Sequence, residues 1–291
     1  MIFELPPPAI IHPEPSELRA DAQMQRLGLP RHVRRAILAE VKRLVGKPAS
    51  VIRPTLDDLA RYGGADAAKL GFIFAPGLRH RKAAVNIAYV ASSAQTNDNN
   101  TNTYTFTNVP IGSGQFVIVT AAATGANNQG SLSSGTVAGN AATVIGSRAT
   151  TSADSPVAGI MVIAHPGGST ATITITWSTS KGRAGIAVFS MNGASGVAAF
   201  DSAGASNADP VSTTAVDIPA NGGAVAVACA NPNTSYSWTG LTEAHDTVME
   251  ATSTFSSASG NFASAQTGPT IQADNAINNT TQVLFAASWG P

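Results

Sequence analysis

The sequence predicts a mainly β protein: an antiparallel, jelly-roll-like β-sandwich over residues 83–291, preceded by a Pro-rich extended arm and short α-helices in residues 1–82. Three observations predict it. Fourteen basic against eight acidic residues give the first 82 residues a charge of +6, and three against nine give the remainder −6. The hydrophobic period changes at the same boundary, from three-to-four residues to two. Beyond it, short apolar runs alternate with turn clusters rich in Gly, Pro and Asn, with no amphipathic helices between them.

The arm comes first. Five prolines fall within residues 1–15. Proline removes backbone donors and fixes φ, so this stretch is extended chain rather than helix or central strand. Phe3, Leu5, Ile10 and Ile11 give it apolar side chains suited to lying in a neighbour's groove. It lacks the basic region and uninterrupted apolar run of a secretory signal. No segment approaches the length of a membrane-spanning helix.

Residues 30–46, PRHVRRAILAEVKRLVG, form the best helix pattern. Pro30 suits the first turn and Gly46 the stop. Val33, Ile37 and Val41 follow one apolar stripe, continued by Leu44 or Val45. Thr55 to Asp58 resembles a capping arrangement opening a second, short helix through Tyr62. This is little apolar surface for an independent core, so the segment packs on a partner or on its own β-domain. The basic groups RHVRR and RHRK (79–82) suit phosphates in principle. Glu40 among them and the lack of interleaved aromatics favour a protein-docking face.

Strands are expected at 104–109, 115–123, 142–148, 157–164, 170–179, 184–191, 213–218, 224–229, 235–238, 246–251, 270–273 and 282–289. Val85, Ile87 and Tyr89 open the series. Turn clusters such as HPGGS, STSKGR, MNGASG and PANGG separate them. ATITITW and AVAVACA bury Ile, Val and Ala rather than rings, so closely approaching sheets are expected. Charged residues make up 12% of the chain, about half the usual share, which leaves hydroxyls and amides to hydrate the β-domain.

No catalytic constellation stands out. Cys229, the lone cysteine, sits in AVAVACA and reads as a packed thiol, which points to synthesis in a reducing cytoplasm. The five histidines lack metal-ligand spacing; His165 reads as a turn residue. Glu243, Asp246 and Glu250, with His245 between, could do acid–base work, or form an ordinary polar strand edge. Trp177, Tyr236, Trp238 and Trp289 could stack sugars, or fill the core. NDNNTNT (97–103) and ADNAINN (273–279) could hold Ca²⁺, but turn chemistry explains them better. No catalytic, metal or cofactor site is assigned.

The stretches TYTFTNVPIGSGQFVIVTAAA, VDIPANGGAVAVACA, SWTGLTEAHD and LFAASWGP resemble β-sandwich domains in structural proteins of tailed bacteriophages. The leader ELPPPAIIHP is similar to the starts of small proteins in such phages. The resemblance implies a non-enzymatic virion component, made in the host cytoplasm. Its N-terminal segment would anchor it to capsid or tail proteins through Phe3, Leu5, Ile10, Ile11, Val33, Ile37 and Val41. A homo-oligomer or symmetric array is expected of such a component. The alternatives are a carbohydrate-binding or glycan-degrading tail appendage, meeting a host-surface glycan, and an internal DNA-contacting virion protein.

Overall fold

A computed structural model of the chain describes residues 83–291 except 126–129, 152–155, 232 and 250–252, and gives the backbone alone for 96–99. These residues belong to one compact unit, Lys82–Pro291. The arm and both expected helices lie outside the described residues.

The described residues form antiparallel sheets with no helix. The first sheet holds β1 (Asn86–Pro110), β2 (Phe116–Thr124), β3 (Leu132–Val137), β4 (Asn140–Ala141), β5 (Thr143–Ala149), β6 (Val157–Ala164) and β7 (Thr170–Asn192). Its order is β4-β3-β7-β2-β6-β5, with β1 paired to β7. The second contains β8 (Asp201–Ser206), β10 (Gly222–Ala230), β12 (Thr242–Val248), β13 (Thr254–Phe262) and β15 (Gln282–Trp289), ordered β12-β13-β10-β15-β8. The third is β11-β14-β9, from β9 (Val211–Thr213), β11 (Tyr236–Thr239) and β14 (Ile271–Asn275).

Three cores follow from this layering. The first sheet curls around its own interior, where Phe106, Ile173, Ile175, Trp177, Val119 and Met161 pack. The curl brings β3 toward β5, and the Leu132 backbone N–H donates to Ser147 Oγ at 3.1 Å. The second core lies between the first two sheets and is rich in large side chains, including Phe189, Phe255, Phe285 and Trp289. The third lies between the second and third sheets and is largely alanine on the β10 side. Strand β10 shows why AVAVACA is written as it is. Val225, Val227 and Cys229 face the second core while Ala224, Ala226 and Ala228 face the third, the period of two that a strand buried on both faces imposes. In the third core the alanines of β10 meet larger side chains, Tyr236, Leu241 and Ile271 among them; the second is filled by rings.

Several expectations are corrected. STSKGR is not a turn: β7 runs unbroken from Thr170 to Asn192, joining two expected strands. NDNNTNT lies within β1, where four residues, 97–100, stand opposite Gly182 alone between the pairs Thr96–Arg183 and Thr101–Lys181. This is an enlarged bulge that bends the ribbon. Strands β3, β8 and β13, built of Ser, Gly, Ala and Thr, went unexpected.

The outer face of the curled sheet is a hydroxyl surface. Tyr104 and Phe106 point inward, leaving Thr103, Thr105 and Thr107 outside. On β7 the alternation puts Ala171, Ile173 and Ile175 inside, with Thr172, Thr174 and Thr176 on the other face. Thr103 and Thr176 meet through their Oγ1 atoms at 3.3 Å, as do Thr105 and Thr174. Thr136 and Ser134 of β3 stand opposite Thr174 and Thr176 on the far side, making rows three strands wide.

Candidate functional site

Phe3, Leu5, Ile10, Ile11, Val33, Ile37 and Val41 lie outside the described residues, as does Glu250. Glu243, His245 and Asp246 sit on β12, an edge strand of the second sheet. Glu243 and Asp246 are near enough for each to feel the other's charge, while His245 is held among aromatic rings. Asp246 Oδ2 accepts the Tyr236 backbone N–H at 3.0 Å, tying β11 to β12. The His245 ring stacks on Tyr89 with centroids 5.5 Å apart and meets the Phe255 edge at 4.9 Å. Its Nδ1 bonds Thr247 Oγ1 at 3.0 Å, and its Nε2 is buried without a partner. Thr247 in turn bonds Ser92 Oγ of β1 at 3.0 Å. Burial pushes the imidazole down to about 4, so it is neutral at physiological pH. Burial, then the neighbouring Asp246, raises the Glu243 carboxyl.

The candidate sugar-stacking rings are mostly interior. Trp177 and Trp289 are each 1% exposed and Tyr236 is 6% exposed. Trp289 Nε1–H donates to the Val197 carbonyl at 3.2 Å. Trp238 is half-buried, its Nε1–H held by Ser256 Oγ at 2.8 Å. Cys229 is fully buried, and burial pushes its thiol pKa far up, against the opposing pull of Lys181 and Arg183. His165 acts in its turn as expected: Nδ1 accepts the Gly167 N–H at 3.1 Å, which leaves Nε2 to donate to the Gly112 carbonyl, also at 3.1 Å.

Among the described residues, several charged side chains are committed to the fold. Asp201 accepts the Ser202 and Asp217 N–H groups, both at 2.8 Å; Asp217 accepts Gly268 N–H at 2.8 Å. Asp209 receives Asn275 Nδ2 and Gln282 Nε2. Asn275 also holds the 275–279 turn, accepting from Ile277 and Asn279 N–H, so turn chemistry accounts for ADNAINN. Lys181 is wholly buried, and its amine is pushed down by burial. Arg183 is half-buried and donates to Ser253 Oγ at 3.1 Å. Of the three basic residues after residue 82, that leaves Arg148 exposed.

Arg148 lines a broad-mouthed recess of about 460 Å³ with Gly130, Ser131, Ser147, Thr151 and Ser178. It lies where the edge strand β5 faces the start of β3 and the middle of β7. A second recess of about 260 Å³, lined by Ser235, Ser237, Asp274 and Asn278, borders β11 and β14. Sequence reasoning missed the first recess. The available signal was Arg148 itself, one of three cations in a stretch carrying nine acids. Among the described residues, no three His, Cys, Asp or Glu side chains form a group able to hold a metal ion, and no helix is long and apolar enough to cross a membrane. No protein-family model, curated protein or solved structure matches the chain.

Proposed function

We propose that the chain is a non-enzymatic structural protein of a tailed-bacteriophage virion. Residues 1–82 anchor it to capsid or tail proteins, and residues 83–291 are displayed as decoration or as a contact with the host surface. The observation that carries this reading is the division of charge, +6 against −6, at the edge of a separate β unit. A charged, proline-rich segment joined to a domain with few charged residues suits attachment at one end and exposure at the other. The phage-like phrases of the sequence add to it. A jelly-roll-like arrangement of the β-domain belongs to the same proposal, supported by antiparallel pairing throughout and stacked sheets. Further support comes from Asp201, Asp209, Asp217 and Asp246, which accept hydrogen bonds that tie loops and strands together, and from His245, which packs against Tyr89 and Phe255. Local symmetry in particles favours a homo-oligomer or array. The interior position of Trp177, Tyr236 and Trp289 weighs against a sugar-stacking platform built from those rings.

Deletion of residues 1–82 tests the reading. The truncated chain is expected to give the circular dichroism of a folded β-protein and to be missing from purified particles. Its normal incorporation would overturn the anchor, and absence of the full chain from particles would overturn the virion assignment.

A further inference from the structure

We propose that the Arg148 recess binds a small oxyanion carried on a hydroxylated molecule, with the carboxylate of an acidic sugar as the intended ligand. The proposal rests on the virion reading for the source of that sugar, a polysaccharide on the host surface.

The recess, at about 460 Å³, falls within the range of small-molecule sites. Its lining carries one cation and several hydroxyls. Arg148 Nε donates to Ser206 Oγ at 3.3 Å, which fixes one side of the guanidinium. Its terminal nitrogens make no hydrogen bond or ion pair among the described residues. Ser178 Oγ accepts twice, from the Ser131 N–H at 2.9 Å and from the Ser131 hydroxyl at 3.3 Å. Ser147 Oγ accepts the Leu132 N–H at 3.1 Å. Each of these two serines therefore has its oxygen engaged by the protein and its own O–H left as a donor. Arg148 and Ser147 are neighbours on β5 and leave it on opposite faces, but both border the recess with Ser178, and the guanidinium fork matches a carboxylate, sulfate or phosphate, which accept only. Aspartates elsewhere in the domain repel anions, so the one exposed cation after residue 82 localises the contact to this recess. Ser131, Thr151 and Ser178 suit ring hydroxyls, and Ala149 suits the apolar face of a sugar ring.

Saturation-transfer NMR on the full chain, observing sodium glucuronate and glucose directly and adding inorganic phosphate as a competitor that displaces glucuronate, decides it. Saturable transfer to glucuronate is expected, with none to glucose at equal concentration. Arg148→Gln is expected to weaken glucuronate binding about tenfold or more, the loss of a charge-assisted pair. Arg148→Lys keeps the charge without the fork and falls between. Arg148 is exposed, so the thermal midpoint of Arg148→Gln stays at the wild-type value and reports an intact fold. Absence of transfer to glucuronate, or an Arg148→Gln protein that binds as wild type does, overturns the site. Phosphate binding as tight as glucuronate upholds the oxyanion contact and overturns the sugar. These outcomes are separate from particle incorporation: a chain that never enters virions yet binds glucuronate through Arg148 refutes the virion reading alone.

Discussion

His245 is a titratable group enclosed by Tyr89 and Phe255, and burial holds its pKa near 4 against an ordinary 6.5. Because the folded value is the lower one, the unfolded chain takes up the proton first as pH falls. Stability is therefore full above about pH 6.5 and declines as pH drops toward about 4, by on the order of 3 kcal/mol. Calorimetric midpoints measured across that window should fall in the wild type and fall less in His245→Phe, which keeps the ring stack. Cys229 gives a second test at this scale. Its thiol is fully buried, so iodoacetamide should label the denatured chain and leave the native one unmodified. Cys229 was legible in the sequence because its neighbours alternate Ala and Val on a two-residue period. Trp177 and Trp289 were not: a ring suits a sugar face and a core equally, and sequence alone does not say which side of a sheet a strand turns inward. The Arg148 recess was illegible for another reason, since Ser131, Ser147 and Ser178 meet only after the first sheet has curled.

Strands with strong alternation were read closely; 157–164 and 282–289 match β6 and β15 end for end. Strand β13 escaped because its buried positions include serines. Ser256 donates to the His245 carbonyl at 2.9 Å and Ser257 pairs with Thr120 of β2 at 2.9 Å, so hydrogen bonds replace the apolar pattern that marks a buried strand. Thr124 and Ser253 make a second such inter-sheet pair at 2.9 Å. Thr120→Val should cost about 1–3 kcal/mol by leaving Ser257 unpaired, and Thr120→Val with Ser257→Ala should recover most of it; urea midpoints measure both. The continuity of β7 escaped through Lys181, Gly182 and Arg183, residues that read as a hairpin turn but stand against the β1 bulge. Further along β7, a Cβ at Gly185 would enter the Phe255 ring. Gly185→Ala is expected to destabilise by about 1–3 kcal/mol through overpacking, and Phe255→Leu in the same chain to relieve part of that loss.

At the scale of the whole molecule, the second sheet lies between two cores, and its strands β10 and β15 are buried along their entire length. Amide hydrogen exchange should be slowest in β10 and β15 and fast in the edge strands β4 and β12; uniform protection across the sheets would contradict this layering. The β class was readable from turn spacing. The number and order of sheets were not, because pairings such as Gly223 with Trp289 span the sequence and leave no local mark. The threonine rows on the outside of the first sheet have a consequence of their own. They carry no formal charge, so that face gathers no counter-ion atmosphere. Raising salt from about 0.01 M to about 1 M shortens the Debye length from about 30 Å to about 3 Å, yet there is nothing on those rows to screen. Adhesion through the threonine face would be as strong in brine as in fresh water, while capture of an acid at Arg148 would fade.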